Sequence, residues 1–416
     1  MKIDRRNPFH WLLLAITGMN ALLAIALRPI VHKDNNLVLL YGHKLNGNLL
    51  ALYLHAKNRQ LGLRLKFLTM DPHYYREIRN QGVDALLSIS PRAPLELGRA
   101  KTIITDHGLH SLAPLTRLTD IHFIDVWHGI PFKGFDSKDF RALQNYREIW
   151  VSSPHMKDLY VERFGFNREQ VIVTGYARTD RLLNTEEPPS STRDRMSLPP
   201  NKKLVLFAPT WAQDEDGRSI FPFEMKKDAF MKYLSNFAAG QQCSIILRPH
   251  LNTLVTEDQT ASYPDVYVLP LASYPDTETI LLAADVLVCD WSSIAFDFLL
   301  LKRPTIFLDV TPPFRKGLTL GPEYRYGQIV EQLEELDAAL REALKNPEAV
   351  LKGEEVGRSF VRQSVYGKYA DAHAAGIGEE RRHVAEHDPL VGEVGDGADV
   401  VADGLAVVHH RTLPAT

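Results

Sequence analysis

The sequence predicts an α/β protein made of two comparable halves. Three observations predict it: short β-favouring runs alternate with helix-length segments, this series starts twice on either side of a proline-rich stretch, and polar clusters stand directly after the predicted strands. With 416 residues, 45% hydrophobic and 24% charged, the chain is too long for one ordinary core and suits two.

The chain opens with Lys2, Arg5 and Arg6, then an apolar run from Trp11 to Leu27 whose only polar members are Thr17 and Asn20, closed by Arg28. Ala24-Ile25-Ala26 has the look of a signal-peptide cleavage site. A spanning helix normally needs about 20 apolar residues, and Gly18 and Asn20 interrupt this one. A buried helix of a soluble fold is a further reading. The pattern is best met by an anchor or an interface-lying helix, so residues 1–33 are taken as a membrane-associating segment.

Residues 34–190 form the first α/β half. Its strands are expected at 37–41, 63–68, 85–89, 102–105, 121–127, 148–151 and 171–174, with helical crossovers that imply parallel pairing. Residues 185–201, with two Pro-Pro pairs among Ser, Thr and charges, read as a linker or long surface loop. The second half, 191–352, has strands expected at 203–208, 244–247, 266–269, 286–289 and 305–308, and helical patterns at 277–284 and 294–301. Two such halves imply a cleft between them. Beyond 352 the pattern fades, and from Ala370 to Thr416 no aromatic residue occurs, so 353–416 is expected to be a tail, largely disordered after 380.

Charge and cysteine content narrow the partners. Lys plus Arg at 48 against Asp plus Glu at 51 leaves a net charge of -3 and no global footprint for nucleic acid. Cys243 and Cys289 both sit in strand-like runs, which supports neither a disulfide framework nor a cysteine metal site. His107, His110, His122 and His128 lack compact zinc-ligand spacing, so no metal is expected.

Ligands of open parallel α/β sheets bind at the carboxyl ends of strands, where five clusters fall. His128-Gly129-Ile130-Pro131-Phe132 follows the 121–127 strand, with a glycine that permits close ligand approach, a proline that stiffens the loop and an imidazole suited to taking a proton near neutral pH; Lys133 is secondary. Arg178 follows the 171–174 strand and could add positive charge. Pro209-Thr210-Trp211 follows 203–208. Arg248 and His250 straddle Pro249, which extends the backbone so that both face one target, and a phosphate suits both. Asp290-Trp291-Ser292-Ser293 follows 286–289: Ser292 reads as an N-cap over a helix start that would seat an anion, and Asp297 lies on the same helix face as Ser293, placed to accept from a ligand hydroxyl. Taken singly, each has an ordinary reading as cap, loop residue or surface ion pair.

Taken together, His128 to Lys133, Gly175-Tyr176-Ala177-Arg178-Thr179-Asp180, Pro209-Thr210-Trp211, Leu247 to His250, Asp290 to Ser293 and Phe296-Asp297-Phe298 resemble the CDP-glycerol glycerophosphotransferase family, the teichoic-acid primases and polymerases, in order from about residue 37 to 330. The resemblance implies a GT-B architecture of two Rossmann-like domains with the nucleotide in the cleft. It implies His128 as candidate base, and His250 is a second catalytic candidate. Gly129, Ile130, Pro131, Phe132, Arg178, Pro209, Thr210, Arg248, Pro249, Ser292, Ser293 and Asp297 are the implied binders of a CDP-polyol, whose polyol phosphate would pass to a lipid-linked or glycan acceptor at the cytoplasmic face of a membrane. No cofactor is implied. The family usually carries a final helix after the second domain, which the tail beyond Tyr369 does not resemble. The competing classes are a GT-B glycosyltransferase using a nucleotide sugar and a non-catalytic envelope-assembly subunit.

Overall fold

The computed structural model describes residues 3–4, 6–185, 187–210, 212–214, 217–219, 221–248, 263–270, 273–312, 314 and 316–370. The chain divides into two compact units, each with its own parallel sheet.

The first unit opens with helix α1, Pro8–Leu27, whose start is set by Asn7: its side chain accepts from the Phe9 amide, and Pro8 fits the first turn. Strands β1 (Asp34–Tyr41), β2 (Arg64–Thr69), β3 (Ala85–Leu87), β4 (Ala100–Thr105), β5 (His122–Asp125), β6 (Glu148–Val151) and β7 (Val171–Val173) alternate with α2 (Gly47–Arg59), α3 (Pro72–Asn80), α4 (Ala93–Arg99), α5 (Leu115–Leu118), α6 (Pro154–Glu162) and α7 (Ala177–Leu183). The sheet order is β3-β2-β1-β4-β5-β6-β7, parallel throughout. Because the central strands are covered on both faces, Leu37 to Leu40 are all fully buried, which is why β1 reads as an unbroken apolar run.

In the second unit α8 (Pro189–Arg195) precedes β8 (Lys203–Phe207), a short antiparallel pair β9 (Ala212–Asp214) and β10 (Gly217–Ser219), α9 (Lys227–Gln241), β11 (Cys243–Leu247), β12 (Val266–Val268), α10 (Thr277–Ala283), β13 (Val286–Cys289), α11 (Ile294–Leu299), β14 (Thr305–Leu308), β15 (Gln328–Val330), α12 (Leu333–Lys345) and α13 (Pro347–Val365). Its sheet, β12-β11-β8-β13-β14-β15, is again parallel. Setting the small hairpin aside, both sheets wind outward from their first strand, reverse, and continue on the other side. In the first unit that reversal lies between β1 and β4; in the second it lies between β8 and β13. Such reversals are where open α/β sheets leave a crevice for ligands.

Two expectations about the chain's joints are corrected. The 185–201 stretch is not an open loop, since α8 packs against α10 and Arg193 is buried, donating to the Ala283 and Lys202 carbonyls and pairing with Asp285 at 2.5 Å. Its first proline pair starts a helix instead of preventing one, because proline is tolerated in the first turn. Nor does structure end at 352, which falls inside α13. That helix buries Arg358, Val361 and Val365, so its packed face is partly a cation's and gave no apolar stripe to read. Arg358 lies over the Tyr326 ring at 5.0 Å and donates to the Arg303 carbonyl. The expected disorder after 380 lies outside the described residues.

The division also cuts across the sequence. Residues 129–135 belong to the second unit, and Tyr366, Tyr369 and Ala370 are buried in the first, where Gly367 sits against Pro154 and Ser153.

Candidate functional site

His128 stands just past β5, in a turn that the sequence cannot make cheaply. Trp127 has φ +45°, a left-handed conformation that costs a non-glycine residue about 1–3 kcal/mol. Two side chains hold it there: the Asp125 carboxylate accepts from the Trp127 amide at 3.0 Å, and Asn48, at the start of α2, donates to the Val126 and Trp127 carbonyls at 2.9 and 3.0 Å. Asn48 also accepts from the Arg178 amide at 3.1 Å, so one buried amide fixes both the His128 turn and the start of α7. Replacing Asn48 with alanine removes these bonds. An unfolding loss of about 1–3 kcal/mol and a several-fold fall in turnover are expected, and unchanged values of both in denaturant titration and assay would discard this role.

The imidazole of His128 donates from Nδ1 to the Asp106 carbonyl at 3.0 Å, since a carbonyl can only accept. In the neutral ring Nε2 therefore carries the lone pair. His107 stacks on His128 with centroids 4.4 Å apart and planes 7° apart, and is itself held by the Asp106 carboxylate at 2.7 Å. His43 also lies against His107, at 4.3 Å between centroids. The cluster divides its charge unequally. Burial opposes a proton on His107, but the bond to Asp106 and the charges of Asp106 and Asp125 prevail and raise it. His128 is pulled down to about 3 by desolvation, then by the charges of His107 and Arg178. The residue itself is exposed to solvent, which offsets part of the desolvation; the direction, a neutral imidazole at neutral pH, follows either way.

Asp125 lies fully buried beneath this turn, accepting also from Thr105 Oγ1 at 3.1 Å, and burial raises its carboxyl to about 7. The folded state thus keeps a proton that the unfolded state releases near 3.8, so this group's stabilisation is present below about 3.8 and is lost as pH rises through about 7. An Asp125→Asn variant should gain stability relative to the parent as pH increases across that window. Thermal melts at a series of pH values check it, and a pH-independent difference would refute it.

Arg178 is buried in the first unit, its guanidinium over the Tyr176 ring at 4.8 Å. It is electrostatically coupled to His128, which the sequence did not foresee.

The remaining described candidates belong to the second unit. Gly129 touches Ser293: a Cβ there would meet Ser293 Oγ at 3.2 Å, so glycine lets this loop reach the Asp290 to Ser293 turn. Ile130 and Phe132 are 2% exposed and Pro131 is buried; the Phe132 ring packs against Trp291 and Phe296. All three side chains are buried, and the Phe132 ring fastens the loop. Thr319 completes the fastening through the Phe132 and Lys133 carbonyls and the Phe135 amide. Lys133 is exposed.

At the reversal between β8 and β13, Asp290 accepts from the Thr210 amide with both oxygens, at 2.8 and 2.9 Å, and also from the Thr210 hydroxyl. This clamps the Pro209-Thr210 turn to the end of β13. Burial pushes the Asp290 carboxyl up, and the Thr210 bonds oppose that. Ser292 is not the cap of α11; Ser293 occupies that position, with helical backbone and no side-chain cap bond. The reason is that the turn tightens, Ala295 and Phe296 donating to the Ser292 and Ser293 carbonyls three residues back. With only six residues, α11 also offers little dipole, so the expected anion seat loses that source. Asp297 is buried on α11.

Arg248 is 7% exposed and donates to the Leu269 carbonyl at 3.0 Å and Thr277 Oγ1 at 3.1 Å. Burial lowers its guanidinium to about 10, against the pull of Glu278 and Asp276, and it stays charged at neutral pH. Pro249, His250 and Trp211 lie outside the described residues. Among the described residues no group of three or more His, Cys, Asp or Glu side chains is placed to hold a metal ion.

Two parallel, doubly wound units, each with polar clusters at the carboxyl ends of its strands, define the GT-B-like α/β class. A solved structure of the wall teichoic acid polymerase TagF superposes with a TM-score of 0.67 over 90% of this chain and 95% of that one; at 18% identity this likeness speaks to the fold. The chain belongs to the CDP-glycerol:poly(glycerophosphate) glycerophosphotransferase family, whose sequence model matches residues 23–374. It is 29% identical over 208 residues to a teichoic acid glycerol-phosphate transferase of Staphylococcus aureus (44% of this chain, 51% of the relative). It is 28% identical over 236 residues to a teichoic acid poly(ribitol-phosphate) polymerase of Bacillus spizizenii (52% and 37%). The matches thus span about half or less of these relatives.

Proposed function

We infer that the protein transfers a polyol phosphate, glycerol phosphate foremost, from a CDP-activated donor to a hydroxyl of a lipid-linked or glycan acceptor at the cytoplasmic face of a membrane, in teichoic-acid or related envelope synthesis. The observation that carries this reading is the state of His128: neutral, with its tautomer set by the Asp106 carbonyl and Nε2 left as the acceptor. The acceptor oxygen attacks the β-phosphorus of the donor as its proton passes to Nε2. The bond from that phosphorus to the bridging oxygen breaks, and CMP leaves. The new phosphodiester keeps the polyol. Thr210, Arg248, Ser292, Ser293 and Asp297 are the donor-binding candidates of the second unit, and Arg178 adds positive charge in the first. Arg248 supports the reading as a cation held in place by protein carbonyl and hydroxyl groups. His250, two residues on, stays a candidate by sequence. Family membership and relatives named for both glycerol and ribitol phosphate support the donor class.

The test is to incubate the full chain with CDP-glycerol, CDP-ribitol and nucleotide sugars, each with a polyol-phosphate-primed acceptor. Release of CMP from a CDP-polyol is the expected result. Release of a nucleoside diphosphate from a sugar donor would replace this reading with glycosyl transfer, and no turnover with any donor would favour a non-catalytic role.

A further inference from the structure

α1 wears its polar residues inward. Thr17 Oγ1 pairs with Ser88 Oγ at 2.8 Å, and Asn20 donates to the Ser88 and Ser90 carbonyls at 2.8 and 3.2 Å. Just beyond the helix, buried Arg28 donates to the Gly98 and Ala100 carbonyls and pairs with Asp120. The opposite face carries Trp11, Leu12, Met19, Leu22 and Leu23, 47–58% exposed. At about 100° per residue these positions fall on one stripe. A surface helix ordinarily does the reverse, and an exposed apolar stripe along about 18 Å of helix marks an interaction surface.

The chemistry of the stripe selects its occupant. No Asp, Glu, Lys or Arg lies between Arg6 and Arg28, and of the five side chains only the Trp11 indole carries a hydrogen-bonding group. A protein partner normally brings a polar rim and hydrogen bonds, whereas hydrocarbon asks for neither. Lys2, Arg5 and Arg6, against a lone Asp4, lead into the helix and match an anionic lipid surface. On the neighbouring α4 and α5, which pack against α1, Leu95 and Leu118 are exposed as well. By length and composition α1 could cross a membrane, but crossing would strip Thr17, Asn20 and Arg28 of the partners they have in the first unit.

We propose that α1 is a monotopic anchor: it stays docked on the first unit through Thr17, Asn20 and Arg28, and lays its Trp11 to Leu23 face into one leaflet that bears anionic lipid. This gives physical form to the membrane location inferred above, but it is read by binding and not by turnover, so the two can fail separately.

The full chain is to be sedimented with vesicles of phosphatidylcholine, with and without phosphatidylglycerol. Binding to the anionic vesicles is expected, and a Leu12→Glu/Leu22→Glu variant should bind at least about tenfold more weakly with unchanged circular dichroism. Should that variant misfold, Leu12→Ala/Leu22→Ala supplies the comparison with a smaller loss. An Ile3→Cys variant added to preformed vesicles should react with a membrane-impermeant maleimide, Cys243 and Cys289 being buried. Equal binding by parent and charged variant would overturn the proposal. So would protection of Cys at position 3 until the vesicles are lysed, which means a span. Absence of binding to either vesicle, with a dimer that Leu22→Glu splits, would assign the stripe to a second copy.

Discussion

Replacing His128 with alanine is expected to lower turnover by about 100-fold or more, while the affinity for a CDP-polyol and the melting temperature change little. The imidazole donates one bond, to a main-chain carbonyl at the end of β4, so its removal leaves no buried charge behind. On the proposed reading, what disappears is the acceptor for the attacking hydroxyl's proton. The parent's rate should stay level from neutral pH down through the range where an ordinary histidine titrates, because desolvation, His107 and Arg178 hold His128 neutral well below 6.5. A fall in rate appears only when the imidazole takes up a proton in more acidic solution. A pH series of kcat, run on parent and variant, reads both expectations. An unchanged rate in the alanine variant would remove His128 from the chemistry, and a rate that halves near 6.5 would contradict its environment.

The second large effect concerns Asp290. Mutation to alanine deprives the Thr210 amide and hydroxyl of their acceptor and frees the Pro209-Thr210 turn from β13. Bonds to an ionised partner contribute about 1.5–3 kcal/mol each but do not add, and the carboxylate's own burial offsets some of the gain; a loss of about 2–3 kcal/mol is expected. Asp290→Asn keeps one acceptor and should lose roughly half as much. Donor affinity should fall with the turn's order. Denaturant unfolding and CDP-polyol titration measure the two consequences, and an alanine variant as stable as the parent would show that the clamp contributes nothing.

Much of the fold was legible because buried parallel strands announce themselves as apolar runs. β1, β8, β11, β13 and β14 were placed to within a few residues for this reason. β15, three residues long with Gln328 and Ile329 exposed, offered no such run, and the β9–β10 pair is equally short. The helix α13 was lost because its packing uses Arg358 stacked on Tyr326 where a stripe of Leu or Val would have been readable.

The candidate site was legible as a set of positions after strands, but less so in the contacts that hold it. Asn48 sits 80 residues before His128 and nothing in its own neighbourhood marks it as the clamp of Trp127. Asp106, Asp125 and Asp290 did leave a signal: each is a carboxylate at or just past the end of an apolar strand, a placement that burial penalises unless the group is bonded. Ile130, Pro131 and Phe132 carry no such signal, and their side chains are buried. They are adjacent to His128 in sequence, and adjacency says nothing about which way a packed side chain faces.

The first unit is not a continuous stretch of chain: residues 129–135 leave it, and Tyr366 and Tyr369 return to it after the whole second sheet. On the ribosome this sets a schedule. The early sheet can pair as it emerges, but the cavity that receives those two tyrosines waits until nearly all the described residues have been made, so a nascent chain stopped after α12 would hold the histidine cluster on a unit still lacking its last core side chains.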